Sequence, residues 1–232
     1  MPDFSITLGN KNYSSWSLRG WLALKLTGAA FDERVIPLRR PETRSEILAV
    51  HPSGRVPILH VHGPEGDQDI WDSLAIAEYL AERFPDAGLW PADPTARAQA
   101  RCVTAEMHAG FKALRTYLPM DLRTRDADTG ARMLRMPKVG DDMARIVQIW
   151  EDCRERFGEA GGDFLFGHPT IADTAYAPVA TRFVTFGVEL TGRAARYRDA
   201  IMAWPAMEDW TRAALDEPWT IDFPELRESP PD

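Results

Sequence analysis

Residues 84–98 read FPDAGLWPADPTARA, and the three prolines and one glycine in this stretch keep either a long helix or a central strand from running through it. The chain follows different rules on its two sides. Before the stretch, short runs of strand length alternate with helical spacing; after it, the spacing is helical almost throughout. The expected organisation is an α/β domain at 1–85, a linker at 86–95 and an all-α bundle at 96–232. A length of 232 residues suffices for two small domains with cores that need neither disulfide nor metal.

In the first half, residues 4–8 alternate apolar and polar side chains, the period of a half-buried strand. A polar turn, GNKNYSS, follows. Leu18, Trp21, Leu22 and Leu26 then recur at helical spacing until Gly28, and Ser14, Ser15 and Ser17 stand where a helix N-cap belongs. Residues 34–38 read as a second strand, which makes a right-handed βαβ unit with parallel strands. A weaker helix at 42–50 leads through HPSGRVPIL to strands at 58–61 and 69–71, separated by Gly63, Pro64 and Gly66. Leu74, Ile76, Ala77, Tyr79 and Leu80 set a helix over 73–84. This order suits a four-stranded mixed sheet with helices on both faces. In the second half, helices are expected at 96–117, 141–157, 171–186 and 204–215.

The formal net charge of -8 argues against a nucleic-acid surface, which needs clustered Lys and Arg, but leaves room for a local basic pocket that takes a small anion. Two distant cysteines, Cys102 and Cys153, form no CxxC pair and read as reduced, incidental thiols. The N-terminal MPDFSITLGNKN is not a signal peptide, and no stretch approaches the ~20 apolar residues of a membrane span. A cytoplasmic protein with neither a membrane nor a nucleic-acid partner is expected.

Four short motifs occur in a telling order: YSSWSLR at 13–19, Val56-Pro57 within HPSGRVPIL, Asp72-Ser73 within IWDSLAIAEYL, and PTIADTAYAPV at 169–179. Together they resemble the soluble glutathione S-transferase family over nearly the whole chain. YSSWSLR is similar to the SSCSWR-type signature of the zeta class, with Trp16 in place of the motif's cysteine and Leu18 in place of its tryptophan. Val56-Pro57 resembles the family's cis-proline loop. Asp72-Ser73 resembles the acid-serine pair that holds the γ-glutamyl end of glutathione. The resemblance implies a thioredoxin-like first domain, glutathione as substrate or cofactor, no metal, and a homodimer.

The residues themselves support that chemistry. A free thiol has a pKa of roughly 8.5, and lowering it by about two units takes on the order of 2.7 kcal/mol of preferential thiolate stabilisation. A hydroxyl at a helix start supplies much of this through a hydrogen bond and the positive end of the helix dipole. Ser14 and Ser15 stand there, Ser14 matching the first serine of the zeta-type motif; simple helix capping is the structural alternative, and Tyr13 is the competing donor. Val56, preceding a proline, is expected to be extended; with the cis bond that the resemblance implies, its backbone can pair with the cysteinyl backbone of glutathione as an added strand does, and an ordinary turn proline is the structural alternative. The amides at the start of the 73–84 helix, with Ser73, suit the γ-glutamyl carboxylate, and Asp72 suits its ammonium. Arg55 can meet the glycyl carboxylate or lie solvated.

The second substrate is sought on the helical side. His108, Phe111 and Arg115 are spaced three and four apart along the 96–117 helix and share a face, which suits an aromatic or carboxylate-bearing electrophile; Phe111 in the core is the structural alternative. Trp16 lies beside the proposed thiol site, and Trp219 and Phe223 offer another wall. His60 and His62 share a strand face but have no third ligand at a metal-site spacing, so they read as a packed or surface pair. Thr170 and Asp173 read as a capping box. The resemblance implies a transferase that activates the glutathione thiol against a small electrophile. Its alternatives are a glutathione-dependent cis-trans isomerase of the maleylacetoacetate isomerase type and a non-enzymatic interaction module. With no cysteine in the first domain, a cysteine-dependent reductase does not fit.

Overall fold

A computed structural model describes residues 2–64, 66–158 and 161–226. The first half contains β1 (Phe4–Gly9), α1 (Ser15–Leu26), β2 (Phe31–Ile36), α2 (Thr43–Val50), β3 (Ile58–Val61), β4 (Gln68–Trp71) and α3 (Ser73–Arg83). The strands form one sheet in the order β2-β1-β3-β4, with β1 and β2 parallel and the other pairs antiparallel. Ile6 and Leu8 of β1 are fully buried, as are Leu18, Leu22 and Leu24 of α1. This is a thioredoxin-like α/β unit. The second strand starts three residues earlier than the spacing suggests, because β2 pairs with β1 in register from Phe4↔Phe31 to Gly9↔Ile36. Leu38, past its end, gives its N–H to the Asn10 side chain at 2.6 Å instead.

Gly20 permits the contact that shapes the site. A Cβ there would stand 2.9 Å from Cγ of Pro57, so α1 lies directly on the Val56–Pro57 loop, whose peptide bond is cis.

Helices α4 (Pro94–Ala109), α5 (Lys112–Tyr117), α6 (Ala127–Met133), α7 (Pro137–Cys153), α8 (Ile171–Thr185), α9 (Gly192–Met202) and α10 (Pro205–Leu215) make up the second half. Residues 227–232 of the expected helical domain lie outside the described residues. The long helix expected at 96–117 is two helices. Gly110 is extended and Phe111 is left-handed at φ 55, and an Asp142 oxygen from α7 accepts the Leu114 N–H at 3.0 Å, supporting the start of α5. Helices α6 and α9 were not expected. Helix α9 buries Ala194, Tyr197 and Ile201 at spacings of three and four, a pattern partly hidden among its charged residues. The core of α8 is buried along nearly its whole length, and Thr170 and Asp173 form the expected capping box at its start. The two halves share one hydrophobic cluster, joined at contacts such as Trp21 edge-on to Trp210 at 5.2 Å.

Candidate functional site

A cleft of about 710 Å³ opens where α1, the cis-proline loop, the start of α3 and the end of α4 converge. Trp16, Arg55, Val56, Asp72, Ser73 and His108 all line it. Six of the ten candidate residues therefore meet in one wall, although they come from both halves of the chain.

The start of α3 forms one end. Asp72 sits in left-handed backbone at φ 74, and one carboxylate oxygen caps the helix by accepting the Leu74 N–H at 2.8 Å. Its other oxygen lies 3.4 Å from Nε2 of His108, bridging the two halves. Ser73, the first residue of α3, is buried to 4% exposure yet reaches the wall. Helix N-terminal amides attract carboxylates, and an exposed Asp beside them attracts an ammonium, so this corner suits an amino-acid head.

Trp16 forms the other end. His108 meets it edge-on at 5.1 Å, and the guanidiniums of Arg19 and Arg115 lie 4.6 and 5.0 Å from its ring. Arg115 folds back from α5 and donates to the carbonyls of His108 and Gly110, both at 3.3 Å. Arg19 is buried, and its Nε and Nη1 have no hydrogen-bond partner among the described residues. Burial first, then Arg115, presses its pKa down to about 9. Arg182 of α8 is buried beside it; burial, then Arg19 and Arg115, presses its pKa to about 9 as well, and its Nη1 donates to the Pro178 carbonyl at 3.0 Å. Burial also lowers the pKa of the half-buried Arg115. The hydroxyl of Thr104, which with Arg19, Ser73 and His108 encloses a void of about 10 Å³ behind the cleft, is likewise unpartnered among the described residues. A buried, unpaired cation is costly, and an anion relieves that cost. Arg19 and Arg182 had not been singled out in the sequence.

The remaining candidates stand back from the cleft. Ser14 is the N-cap of α1: its hydroxyl accepts the Ser17 N–H at 3.3 Å and donates to Oγ of Ser17 at 2.8 Å, leaving the residue 6% exposed. Ser15 follows it, half-buried. Phe111 is in the core at the helix break, so His108, Phe111 and Arg115 do not share a continuous helical face. Tyr13 packs at a tilt against Phe223 at 5.8 Å, and Arg39 covers the same ring at 4.8 Å. His60 and His62 bond within the sheet, His60 to Thr7 and Asp69 at 2.9 and 2.6 Å and His62 to Ser5 at 3.0 Å. Among the described residues no group of three or more His, Cys, Asp or Glu could hold a metal ion, and no helix is long and apolar enough to cross a membrane.

A thioredoxin-like sheet with a cis-proline cleft, closed on one side by a helical bundle, defines the glutathione transferase class of fold. The family model for the glutathione S-transferase N-terminal domain matches residues 13–83. A probable maleylacetoacetate isomerase of Caenorhabditis elegans is 34% identical over 179 residues, covering 76% of this chain and 77% of that protein. Maleylacetoacetate isomerase of Pseudomonas aeruginosa is 31% identical over 83% of this chain and 89% of its own length. Among solved structures, a zeta-class maleyl pyruvate isomerase superposes with a TM-score of 0.68 at 22% identity, covering 92% of this chain and 98% of that one. The chain belongs to the glutathione transferase family. It is an enzyme of that family.

Proposed function

We propose that the enzyme ionises the glutathione thiol at the start of α1 and presents it to a small, carboxylate-bearing electrophile seated against Trp16 and the arginine cluster. The observation that carries this reading is the buried Arg19, which lies against Trp16 of the cleft wall with two donor nitrogens unpartnered among the described residues, beside the half-buried Arg115 on the same ring and the buried Arg182. In this reading Ser73 and the α3 amides take the γ-glutamyl carboxylate, Asp72 the ammonium, Val56 the cysteinyl backbone and Arg55 the glycyl carboxylate. Ser14 turns its hydroxyl from Ser17 to the sulfur, with Ser15 the next hydroxyl at the same helix start. The thiolate then attacks the electrophilic carbon while the arginines hold the carboxylate, and His108 and Trp16 orient the carbon skeleton.

A second reading, cis-trans isomerisation, is favoured by the two relatives named maleylacetoacetate isomerase. Both reactions begin with thiolate addition to an activated double bond. In conjugation the carbanion left by the addition takes a proton from solvent and the thioether is retained; in isomerisation rotation about the former double bond precedes expulsion of the same thiolate, and glutathione is regenerated. Incubation with glutathione and a cis-ene dicarboxylate, followed by mass analysis, separates them: a stable adduct supports transfer, and a trans product of unchanged mass supports isomerisation. The working molecule in this reading is a cytoplasmic homodimer, with its domains divided at 86–95. Ser14→Ala is expected to lower the rate about tenfold or more; an unchanged rate, with a large loss in Ser15→Ala or Tyr13→Phe, moves the donor to that residue.

A further inference from the structure

The turn that precedes Ser14 is held from the far end of the chain. Glu217, just past α10, accepts the Lys11 N–H on Oε1 at 2.7 Å and the Asn12 N–H on Oε2 at 3.2 Å. One carboxylate thus binds two successive backbone amides, and such charge-assisted bonds are roughly twice as strong as neutral ones. Glu217 is itself fixed: Arg123 donates to the carbonyls of Ala214 at 2.7 Å, Trp219 at 3.1 Å and Glu217. The Lys11 carbonyl accepts from the Trp210 indole at 2.9 Å, and the Asn12 side chain accepts the Leu122 N–H at 2.9 Å. On its other side the turn runs straight into the site, because the Asn10 carbonyl accepts the N–H of Ser14 at 2.8 Å. A shift of residues 10–12 therefore passes to the helix start within one hydrogen bond.

We infer that Glu217 is a positioning residue for thiol activation, clamping the turn so that the hydroxyls at the start of α1 are held within reach of the sulfur. The inference rests on the reading that this helix start activates glutathione. Water could satisfy the same two amides, so the carboxylate contributes placement more than solvation. A misplacement on the order of 1 Å can cost about 100-fold in rate, which leaves room for a smaller shift to be measurable.

The test is the titration of bound glutathione, followed by thiolate absorbance, in the wild type, Glu217→Ala, Glu217→Gln and the Ser14→Ala/Ser15→Ala double variant. Kinetics and melting temperature are recorded for each. In Glu217→Ala the titration midpoint is expected to rise by about one unit and kcat at neutral pH to fall about tenfold, with KM for glutathione changed less than about twofold. Glu217→Gln, which keeps an acceptor oxygen and serves if the alanine variant does not fold, is expected to fall between the two. A midpoint unmoved in both Glu217 variants, beside a raised one in the serine variant, overturns the clamp alone, even if the melting temperature falls. A midpoint unmoved in the serine variant overturns the reading beneath it.

Discussion

Two helix starts in this molecule use an acid and a hydroxyl in opposite ways. At the start of α8, Asp173 is fully buried and its acceptors are taken: Oδ1 by the Leu165 N–H at 3.0 Å, Oδ2 by the N–H and hydroxyl of Thr170 at 2.7 and 2.8 Å. Even so, burial raises its pKa against the pull of those bonds. At the start of α3, Asp72 is exposed, holds one helix amide and turns its other oxygen to His108 across the cleft. Asp72 is the N-cap of its helix and Asp173 the third residue of a capping box whose N-cap is Thr170, so each acid serves a helix start. The difference lies in completion. Polar groups that satisfy one another inside the protein are structural, whereas groups left open toward a cavity are available to a ligand. By that criterion Arg19, buried with two donor nitrogens unpartnered among the described residues, belongs with α3 rather than α8.

The largest expected effect strikes the closed helix start. Asp173→Ala orphans the Leu165 and Thr170 donors, and should cost about 3 kcal/mol, or roughly 6–12 °C in melting temperature for a chain of this size. Glutathione affinity of the folded fraction should stay within about twofold. A melting temperature lowered by less than about 2 °C would erase the contrast between the two starts.

At the open start the pattern should reverse. Asp72→Ala is expected to weaken glutathione binding about tenfold, near 1.4 kcal/mol, with a smaller effect on the rate of the bound complex. Asp72→Gly sharpens the test, because glycine adopts the φ of 74 without strain. It should hold stability within about 1 kcal/mol while binding stays weak. Calorimetric titration of glutathione into both variants reads this directly, and native affinity in both would remove Asp72 from the site. A smaller effect is expected at Arg115, which is half-buried and retains its carbonyl contacts: Arg115→Ala should raise KM about fivefold for an anionic electrophile, near 1 kcal/mol, and leave glutathione affinity unchanged. Equal losses with anionic and neutral electrophiles would make the residue structural.

What the sequence made legible follows the same division. Strands, turns and helix starts are written in neighbouring residues, so the mixed sheet, the Val56–Pro57 loop and the capping box of Thr170 and Asp173 could be read from local pattern. The break at Gly110 and Phe111 could not, since the Asp142 carboxylate that supports the next helix comes from α7, 28 residues away from Leu114. Arg19 lay in plain view in YSSWSLR, but its burial depends on the packing of α1 against α8. Arg182 carried one usable signal, a lone cation within the apolar run AYAPVATRFVTF. Nothing local says that Arg19 and Arg115 meet on Trp16, or that Arg182 is buried beside them.

The account stands most directly on Arg19. A buried charge without a partner costs the fold, so an apolar side chain of similar length in its place is neutral or stabilising, by up to about 4 kcal/mol, when the charge is kept for a ligand and not for the scaffold. The decisive measurement pairs the melting temperature of Arg19→Met with its kcat/KM for a carboxylate-bearing electrophile and for a neutral one of the same shape. The account predicts a melting temperature held or raised, at least a roughly tenfold loss with the carboxylate-bearing compound, and a change within about twofold with the neutral one. A melting temperature lowered by several degrees, with equal losses on both compounds, would contradict it and make the arginine cluster part of the scaffold.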